Sequence, residues 1–420
     1  MNLGALQIQA IVDATKTPTP EQVRVVEAPR RPLLVVAGAG SGKTETMSMR
    51  VLWLLANHPD LTPSSILGLT FTRKAAGELG ERLRERIRLL SREIPQLRER
   101  LDEDPVSLTY NSFAERIVSE HGMRIGLDPD FSMLSEAGAI DLMTQIVEAW
   151  PTDLDDKLTP TGVVEQVLHL AGEIAEHGYT VGSAREALEE FGRELEQVGR
   201  GNDKSRDAID VNRRRIAFLA PIEVYQQRKR DMGVLDFSDQ LVLATRIVRE
   251  APAVRASLRE EFRAVLLDEF QDTSVIQMDL LSMLFADHAV TAVGDPNQAI
   301  YGWRGASASS LESFLERFQT GASEEGQTLT LSTAWRNDVS ILDAANRVAA
   351  PLREVPSFQV GKQELKAQSP VLVPRGGRGP EPSTLLSRRI TMRRSARWSI
   401  SCSGCARSRL RTASGAASPC

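Results

Sequence analysis

The chain has 420 residues, 41% of them hydrophobic and 25% charged, which is ordinary for a water-soluble globular protein with room for two or three cores. No run approaches the roughly 20 apolar residues of a membrane span. The start, MNLGALQIQAIVDAT, lacks the basic opening and apolar centre of a secretion signal, so a cytoplasmic protein with no membrane partner is expected. The net charge of −5 is uneven: residues 366–420 carry +10 and the rest −15. An acidic body excludes blanket electrostatic adhesion to nucleic acid and leaves only a local basic groove for such a contact. All three cysteines, Cys402, Cys405 and Cys420, lie in the basic tail, so no disulfide framework holds the body. CSGC has metal-pair spacing but no second pair or histidine follows it, and it is read as incidental.

Strand and helix signals alternate over the first hundred residues. LLVVAG and SILGLTFT are short apolar runs, each followed by a turn and a helical stretch, the rhythm of a parallel sheet with crossover helices. Leu79, Leu83, Ile87, Leu90, Ile94, Leu97 and Leu101 form a three–four stripe, read as a packing face against its own domain rather than a coiled coil. From about Phe113 to Gly233 the sequence reads as charged helices, including SAREALEEFGRELEQV. Sheet signals return at AVLLDEF and HAVTAVGD, so the helical stretch is expected to be an insertion in one α/β domain. A third strand–helix pattern begins at QTLTLSTAWRN. Beyond about Gly361 the chain is rich in Arg, Ser, Gly and Pro without any period, as in disorder or a chain read out of its frame. The expected fold class is therefore α/β, a P-loop (RecA-like) parallel sheet. Its predicted parts are a nucleotide-binding domain over 1–112 and 234–325, a helical insertion over 113–233, an incomplete second domain over 326–361 and a disordered basic tail over 362–420.

The run Ala37, Gly38, Ala39, Gly40, Ser41, Gly42, Lys43, Thr44 is a strand-to-helix phosphate loop. Its backbone N–H groups and helix N-terminus face phosphate oxygens, Lys43 reaches the β/γ-phosphates and Thr44 ligates Mg²⁺. The usual first glycine is replaced by Ala37. A second strand, AVLLDEFQDT, brings Asp268 and Glu269 to its C-terminal end, where ligands of parallel sheets collect. Asp268 is read as the Mg²⁺ acid and Glu269 as the group that orients or deprotonates the attacking water. The bound species is therefore expected to be ATP with Mg²⁺.

In order, AGAGSGKT, LTFTRKAA, LDFSDQL, LLDEFQDT, VGDPNQAIYGWRGA and WRN resemble the motifs of UvrD/Rep/PcrA-type superfamily 1 DNA helicases, over roughly Thr19 to Ala349. The resemblance implies that Gln22 reads adenine and that Trp335, standing for the usual tyrosine, packs on it. It implies that Asp295 sits near the metal and that Gln298 senses the γ-phosphate. Arg336 would act as an arginine finger across a domain cleft. Single-stranded DNA would meet Thr70, Phe71, Thr72, Lys74, Tyr301, Trp303 and Arg304, with rings stacking on bases. Arg73 stands where the family usually has Asn, and Asn111 in LTYNSF where it usually has His. Asp236 and Asp239 are read as structural.

Helicases of this type carry a KGLE-like coupling motif and a second arginine in a second RecA-like domain, and neither is found in this sequence. The implied function is ATP-dependent 3′-to-5′ DNA helicase and translocase activity in repair or recombination, acting on single-stranded or junction DNA with repair or nuclease proteins as partners. The chain is read as its N-terminal portion, impaired on its own. The alternatives are a non-hydrolysing ATP- and single-strand-binding fragment, or the motor part of a helicase–nuclease.

Overall fold

The computed structural model describes residues 3–128, 130–198, 203–302, 310–321, 326–354 and 369–376. Helices α1 (Ala5–Val12) and α2 (Pro20–Val26) precede β1 (Leu33–Ala37), and α3 (Lys43–Asn57), β2 (Ile66–Thr70), α4 (Arg73–Glu93), β3 (Val106–Thr109) and α5 (Tyr110–His121) follow. The helical block runs through β4 (Ser132–Met133), α6 (Glu136–Glu148), α7 (Pro160–Glu176), α8 (Val181–Val198), α9 (Asp203–Asp231) and β5 (Val234–Leu235). The chain then forms α10 (Phe237–Glu250), α11 (Pro252–Glu261), β6 (Ala264–Leu267), α12 (Val275–Phe285), β7 (Val290–Gly294) and α13 (Phe314–Phe318). Last come β8 (Gln327–Leu331), β9 (Thr333–Ala334), α14 (Val339–Glu354) and β10 (Val373–Pro374).

Six strands form one parallel sheet in the order β3-β2-β6-β7-β1-β8. Alternate strand residues face opposite layers, as the period-two geometry of a strand requires. Leu34, Val36, Leu67, Leu69, Val265 and Leu267 pack towards α5, α10 and α12, whereas Leu33, Val35, Ile66, Ala264 and Leu266 pack towards α3 and α4. Both faces are covered, which is why these strands read as continuous apolar runs. The Leu79-to-Leu101 stripe is buried in the second layer, against its own domain. Helix α4 stops at Glu93 ahead of Pro95, whose missing N–H cannot continue it.

Three boundaries differ from the sequence expectation. Helix α5, placed in the insertion, contributes Phe113, Ala114, Ile117 and Val118 to the sheet's core, and the helical block's separate core begins at Leu142 and ends at Tyr225. Strand β8, placed in a second domain, pairs with β1 from Leu33↔Gln327 to Ala37↔Leu331 and is the edge of the first sheet. An apolar strand reads alike whichever sheet receives it. Within the stretch assigned to the tail, Ser369–Gly376 is ordered enough to carry β10, which pairs with β9 beside α14. The rest of the tail, with its cysteines, lies outside the described residues.

Arg50 of α3 is the largest fully buried side chain among the described residues. Its guanidinium donates to the carbonyls of Val25, Val26, Ala28 and Pro29 at 2.8–3.3 Å and to Thr291 Oγ1 at 2.8 Å. Four acceptors are carbonyls at and beyond the C-terminal end of α2, where a cation also meets the negative end of the helix dipole. The bonds join α2, α3 and β7 into one body. Burial lowers the Arg50 pKa to about 9, which leaves it charged at neutral pH.

Candidate active site

The phosphate loop is shaped by two left-handed glycines, Gly40 (φ +75°) and Gly42 (φ +82°), the second being the N-cap of α3. Ala37 needs no such freedom. It is the last residue of β1 and its methyl is buried in the α3 layer, so alanine fits where the usual pattern has glycine. Gly38 N–H donates to Leu331 O at 3.1 Å and Trp335 N–H to Gly40 O at 2.8 Å, so β8 and the residues after it grip the loop. A side chain on Gly38 would begin 2.2 Å from Leu372 Cδ2, inside the van der Waals limit. Ser41 is buried and its Oγ has no hydrogen-bond partner.

Gln22 lies against this loop. Its Oε1 accepts from Thr19 N–H at 2.9 Å, completing the capping box of α2, and its Nε2 reaches Ser41 O at 3.4 Å. A Cβ on Gly42 would lie 2.9 Å from Gln22 Nε2 and 3.9 Å from the Trp335 ring, so these two side chains flank one glycine. Glu21 accepts from Ser332 N–H at 2.8 Å and Ser332 Oγ at 2.6 Å, which ties α2 to the strand leading to Trp335. Arg336 packs its Cβ on Gly40. It follows the edge of the loop's own sheet, so the expectation that it reaches in across a domain cleft is corrected.

Opposite the loop, Lys43 Nζ meets Glu269 Oε2 at 2.9 Å. Glu269 sits at φ 49°, ψ 42°, a left-handed conformation that costs a non-glycine residue about 1–3 kcal/mol and turns the chain sharply at the end of β6. Its N–H caps Asp268 Oδ1 at 3.0 Å. Burial, and then the Glu269 charge, push the Asp268 carboxyl up to about 6 against the pull of Lys43. Tyr110 OH donates to Asp268 O at 3.0 Å and fixes the backbone there. At the end of β7, Asp295 is buried and accepts from Asn297 N–H at 3.0 Å and Gln298 Nε2 at 2.6 Å.

Residues 18–319 match the family model described as the UvrD/REP helicase N-terminal domain. The chain belongs to the UvrD/REP helicase family. It is 31% identical over 327 residues to DNA helicase II of Escherichia coli strain K12, covering 78% of this chain and 39% of that protein. It is 28% identical to DNA helicase II of Haemophilus influenzae, covering 77% and 39%, and 26% identical to the ATP-dependent DNA helicase PcrA of Staphylococcus aureus strain Mu50, covering 78% and 39%. The chain thus spans about two-fifths of the length of the curated relatives it matches.

In this UvrD/REP chain the rings of Phe71 and Tyr301 stack on each other, centroids 4.6 Å apart at 26°. Thr70 is buried and its hydroxyl donates to Thr72 O at 3.2 Å, while Thr72 Oγ1 is the N-cap of α4, accepting from Ala75 N–H at 3.1 Å. The Thr70 hydroxyl is thus turned inward. Lys74 is exposed, with Glu78 at 3.8 Å. A cleft of about 230 Å³ beside the ring pair is lined by Phe71, Arg73, Asn111, Asp272 and Gln277, and Gln277 Nε2 donates to Asn111 Oδ1 at 3.2 Å. Trp303 and Arg304 lie outside the described residues. No helix among the described residues is long and apolar enough to cross a membrane.

Sequence reasoning missed Gln271 and Tyr110. Gln271 is buried, and its Nε2 donates to Glu269 Oε2 at 3.0 Å and Asp272 Oδ2 at 2.9 Å, while its Oε1 accepts from Asp295 N–H at 3.0 Å. The available signal was an amide inside the acidic run DEFQD together with a glycine, Gly294, opposite it. A Cβ on Gly294 would lie 2.7 Å from Gln271 Oε1.

Proposed function

We propose that this chain is the ATP-hydrolysing N-terminal part of a 3′-to-5′ DNA helicase, binding ATP on the Gly38–Thr44 loop and single-stranded DNA across the Phe71–Tyr301 surface. The observation that carries the reading is the Lys43–Glu269 ion pair, which joins the phosphate loop to the end of β6 with Asp268 alongside. The supporting features are local. Ser41 Oγ is a buried hydroxyl lacking a partner at the loop, and Asp268 is a buried acid whose ionisation the present surroundings oppose. Both fit a phosphate–cation pair at this point.

In this reading the loop N–H groups and the α3 N-terminus hold the phosphates, and Lys43 leaves Glu269 for the β/γ oxygens. Thr44 and Asp268 would hold Mg²⁺, which neutralises charge on the transferring phosphate when bound. Among the described residues no cluster of three or more His, Cys, Asp or Glu could hold a metal alone. Mg²⁺ here would therefore depend on the nucleotide's own oxygens, as its coordination habits favour. Glu269, released from Lys43, orients the attacking water, and Gln298 and Arg336 meet the γ-phosphate. Gln22 and Trp335 flank the adenine. Phe71 and Tyr301 stack on bases, with Thr72 and Lys74 beside the strand. The domains follow the same logic, a sheet domain with a helical block inserted between α5 and α10.

The test is phosphate release by the purified chain with and without oligo-dT. Turnover stimulated by the oligonucleotide is the expected result. A second reading, nucleotide and single-strand binding without turnover, is favoured by one observation: Glu269 Oε2 is engaged by both Lys43 and Gln271. Binding of both ligands with no phosphate release would establish that reading instead.

A further inference from the structure

The first turn of a helix leaves N–H groups without partners inside the helix, and an acid or amide three residues past the N-cap can reach back to them. Helices α1, α2, α10 and α12 use this device. Gln7 Oε1 accepts from Gly4 N–H at 2.9 Å, Gln22 Oε1 from Thr19 N–H at 2.9 Å, Asp239 Oδ2 from Asp236 N–H at 2.8 Å and Gln277 Oε1 from Ser274 N–H at 3.1 Å. Glu45 holds the same place in α3, three residues past the N-cap Gly42. It turns the other way. Its Oε2 accepts from Arg86 Nη2 of α4 at 2.6 Å, and among the described residues that bond is the carboxylate's only one. Glu45 Oε1 and Arg86 Nη1 are both buried with no partner, so the two forks meet by one tooth each.

The N-terminus of α3 is also where the reading above places the phosphates. Its N–H groups and the positive end of its dipole attract any anion, the side chain of Glu45 included. A carboxylate settled there would occupy donors that a phosphate needs and would repel the phosphate's charge. Arg86, whose side chain is 10% exposed, prevents both. It draws the carboxylate sideways onto α4 and sets a positive charge against it. The atom of Glu45 nearest to the place of a Gly42 Cβ is consequently its own Cβ, at 3.9 Å, and neither oxygen.

We propose that Arg86 is a positioning residue of the nucleotide site, one that keeps the Glu45 carboxylate off the α3 N-terminus and so leaves the loop's N–H groups to the phosphates. The inference rests on the ATP reading above. It adds to the phosphate loop a residue that lies outside it in sequence, buried on α4, and touches no nucleotide. The effect of Arg86 runs through Glu45 alone, which gives it a signature: in a chain without Glu45, Arg86 should not matter.

The test is titration of the whole chain with a fluorescent, non-hydrolysable ATP analogue and Mg²⁺, beside urea unfolding of each variant. Arg86→Met frees the acid and should weaken binding about tenfold, the size of a charge effect at a helix end. Part of that loss is charge repulsion, so the deficit should shrink as KCl is raised. Combining Arg86→Met with Glu45→Ala removes the competitor along with its tether and strands no charge. That double variant should bind within about threefold of Glu45→Ala alone and more tightly than Arg86→Met. Glu45→Asp shortens the reach to Arg86 by one methylene, and Asp239 shows that an aspartate in this helix position turns back to the N-cap. It should weaken binding as Arg86→Met does, and it carries the comparison if Arg86→Met does not unfold cooperatively. Unchanged affinity in Arg86→Met, or in Glu45→Asp where it stands in, overturns the inference. So does a double variant as weak as Arg86→Met, because Arg86 would then act without Glu45. Parent protein that does not bind the analogue overturns the ATP reading, and the role of Arg86 with it.

Discussion

Lys43 and Lys229 each face two carboxylates, yet the two settings differ in what is left unsatisfied. Lys229 of α9 lies 2.6 Å from Asp236 and 2.6 Å from Asp239, and its ammonium sits 4.7 Å from the centroid of the Tyr225 ring. The two acids also form the capping box of α10. Burial raises Asp236, but the charge and hydrogen bond of Lys229 outweigh it and leave that carboxyl below its ordinary value, while burial and the Asp236 charge hold Asp239 above its own. Every polar group there has a protein partner to hand. Lys43 instead bonds one acid, the other acid is held up near 6, and a buried hydroxyl nearby has no partner. Saturated lysine–carboxylate clusters join elements of a fold, whereas unsaturated ones mark places where a ligand completes the set.

Four substitutions test that contrast. The largest effect is expected from Lys229→Met, which leaves two half-buried carboxylates without their cation and should cost up to about 3–5 kcal/mol in urea unfolding while leaving nucleotide affinity unchanged. Lys43→Ala removes a phosphate-binding cation, so oligonucleotide-stimulated ATP hydrolysis should fall about 10²–10³-fold with little change in unfolding midpoint. Measuring both quantities for both variants breaks the comparison if Lys43→Ala is the one that unfolds.

Asp268→Asn should make the ligand-free protein more stable at pH 7. The folded carboxyl titrates near 6 and the ordinary value is 3.8, so the folded state holds a proton that the unfolded chain releases between them. Native stability thus falls as pH rises through that window. The whole shift corresponds to about 3 kcal/mol at most. Unfolding at pH 7 should show the gain, and at pH 4 it should have nearly vanished, while hydrolysis is lost in either buffer. The smallest effect belongs to Ser41→Ala, which deletes a buried hydroxyl lacking a partner and should raise ligand-free stability by about 1 kcal/mol while weakening nucleotide binding. A Ser41→Ala protein that loses stability would show that the hydroxyl was already satisfied.

Much of this site was legible because its signals are local. A run of glycines before a lysine specifies a strand-to-helix turn, and Asp268 and Glu269 follow their apolar strand directly. The packing stripe of α4 was legible for the same reason. Strand pairing is not local, so the sequence did not show that β8 lies beside β1 or that Arg336, beyond the end of β8, comes to lie against Gly40 of the loop. Gln271 was hidden because the anchor of its amide oxygen, Asp295 N–H, follows β7, 24 residues away, and only the pairing of β6 with β7 brings the two together. Arg50 left a clue in a charged residue within the apolar stretch MSMRVLWLL, but its acceptors are carbonyls, which no sequence pattern displays.

The strand order also fixes when the phosphate loop can exist during synthesis. Among the described residues β1 pairs within the sheet with β7 and β8 alone, and about 250 residues separate it from β7. At roughly 5–20 residues per second, its apolar strand waits some tens of seconds for its first neighbour. Until then Leu33 to Ala37 lack their neighbours in the sheet, and their unpaired N–H and C=O groups lie open to non-native pairing.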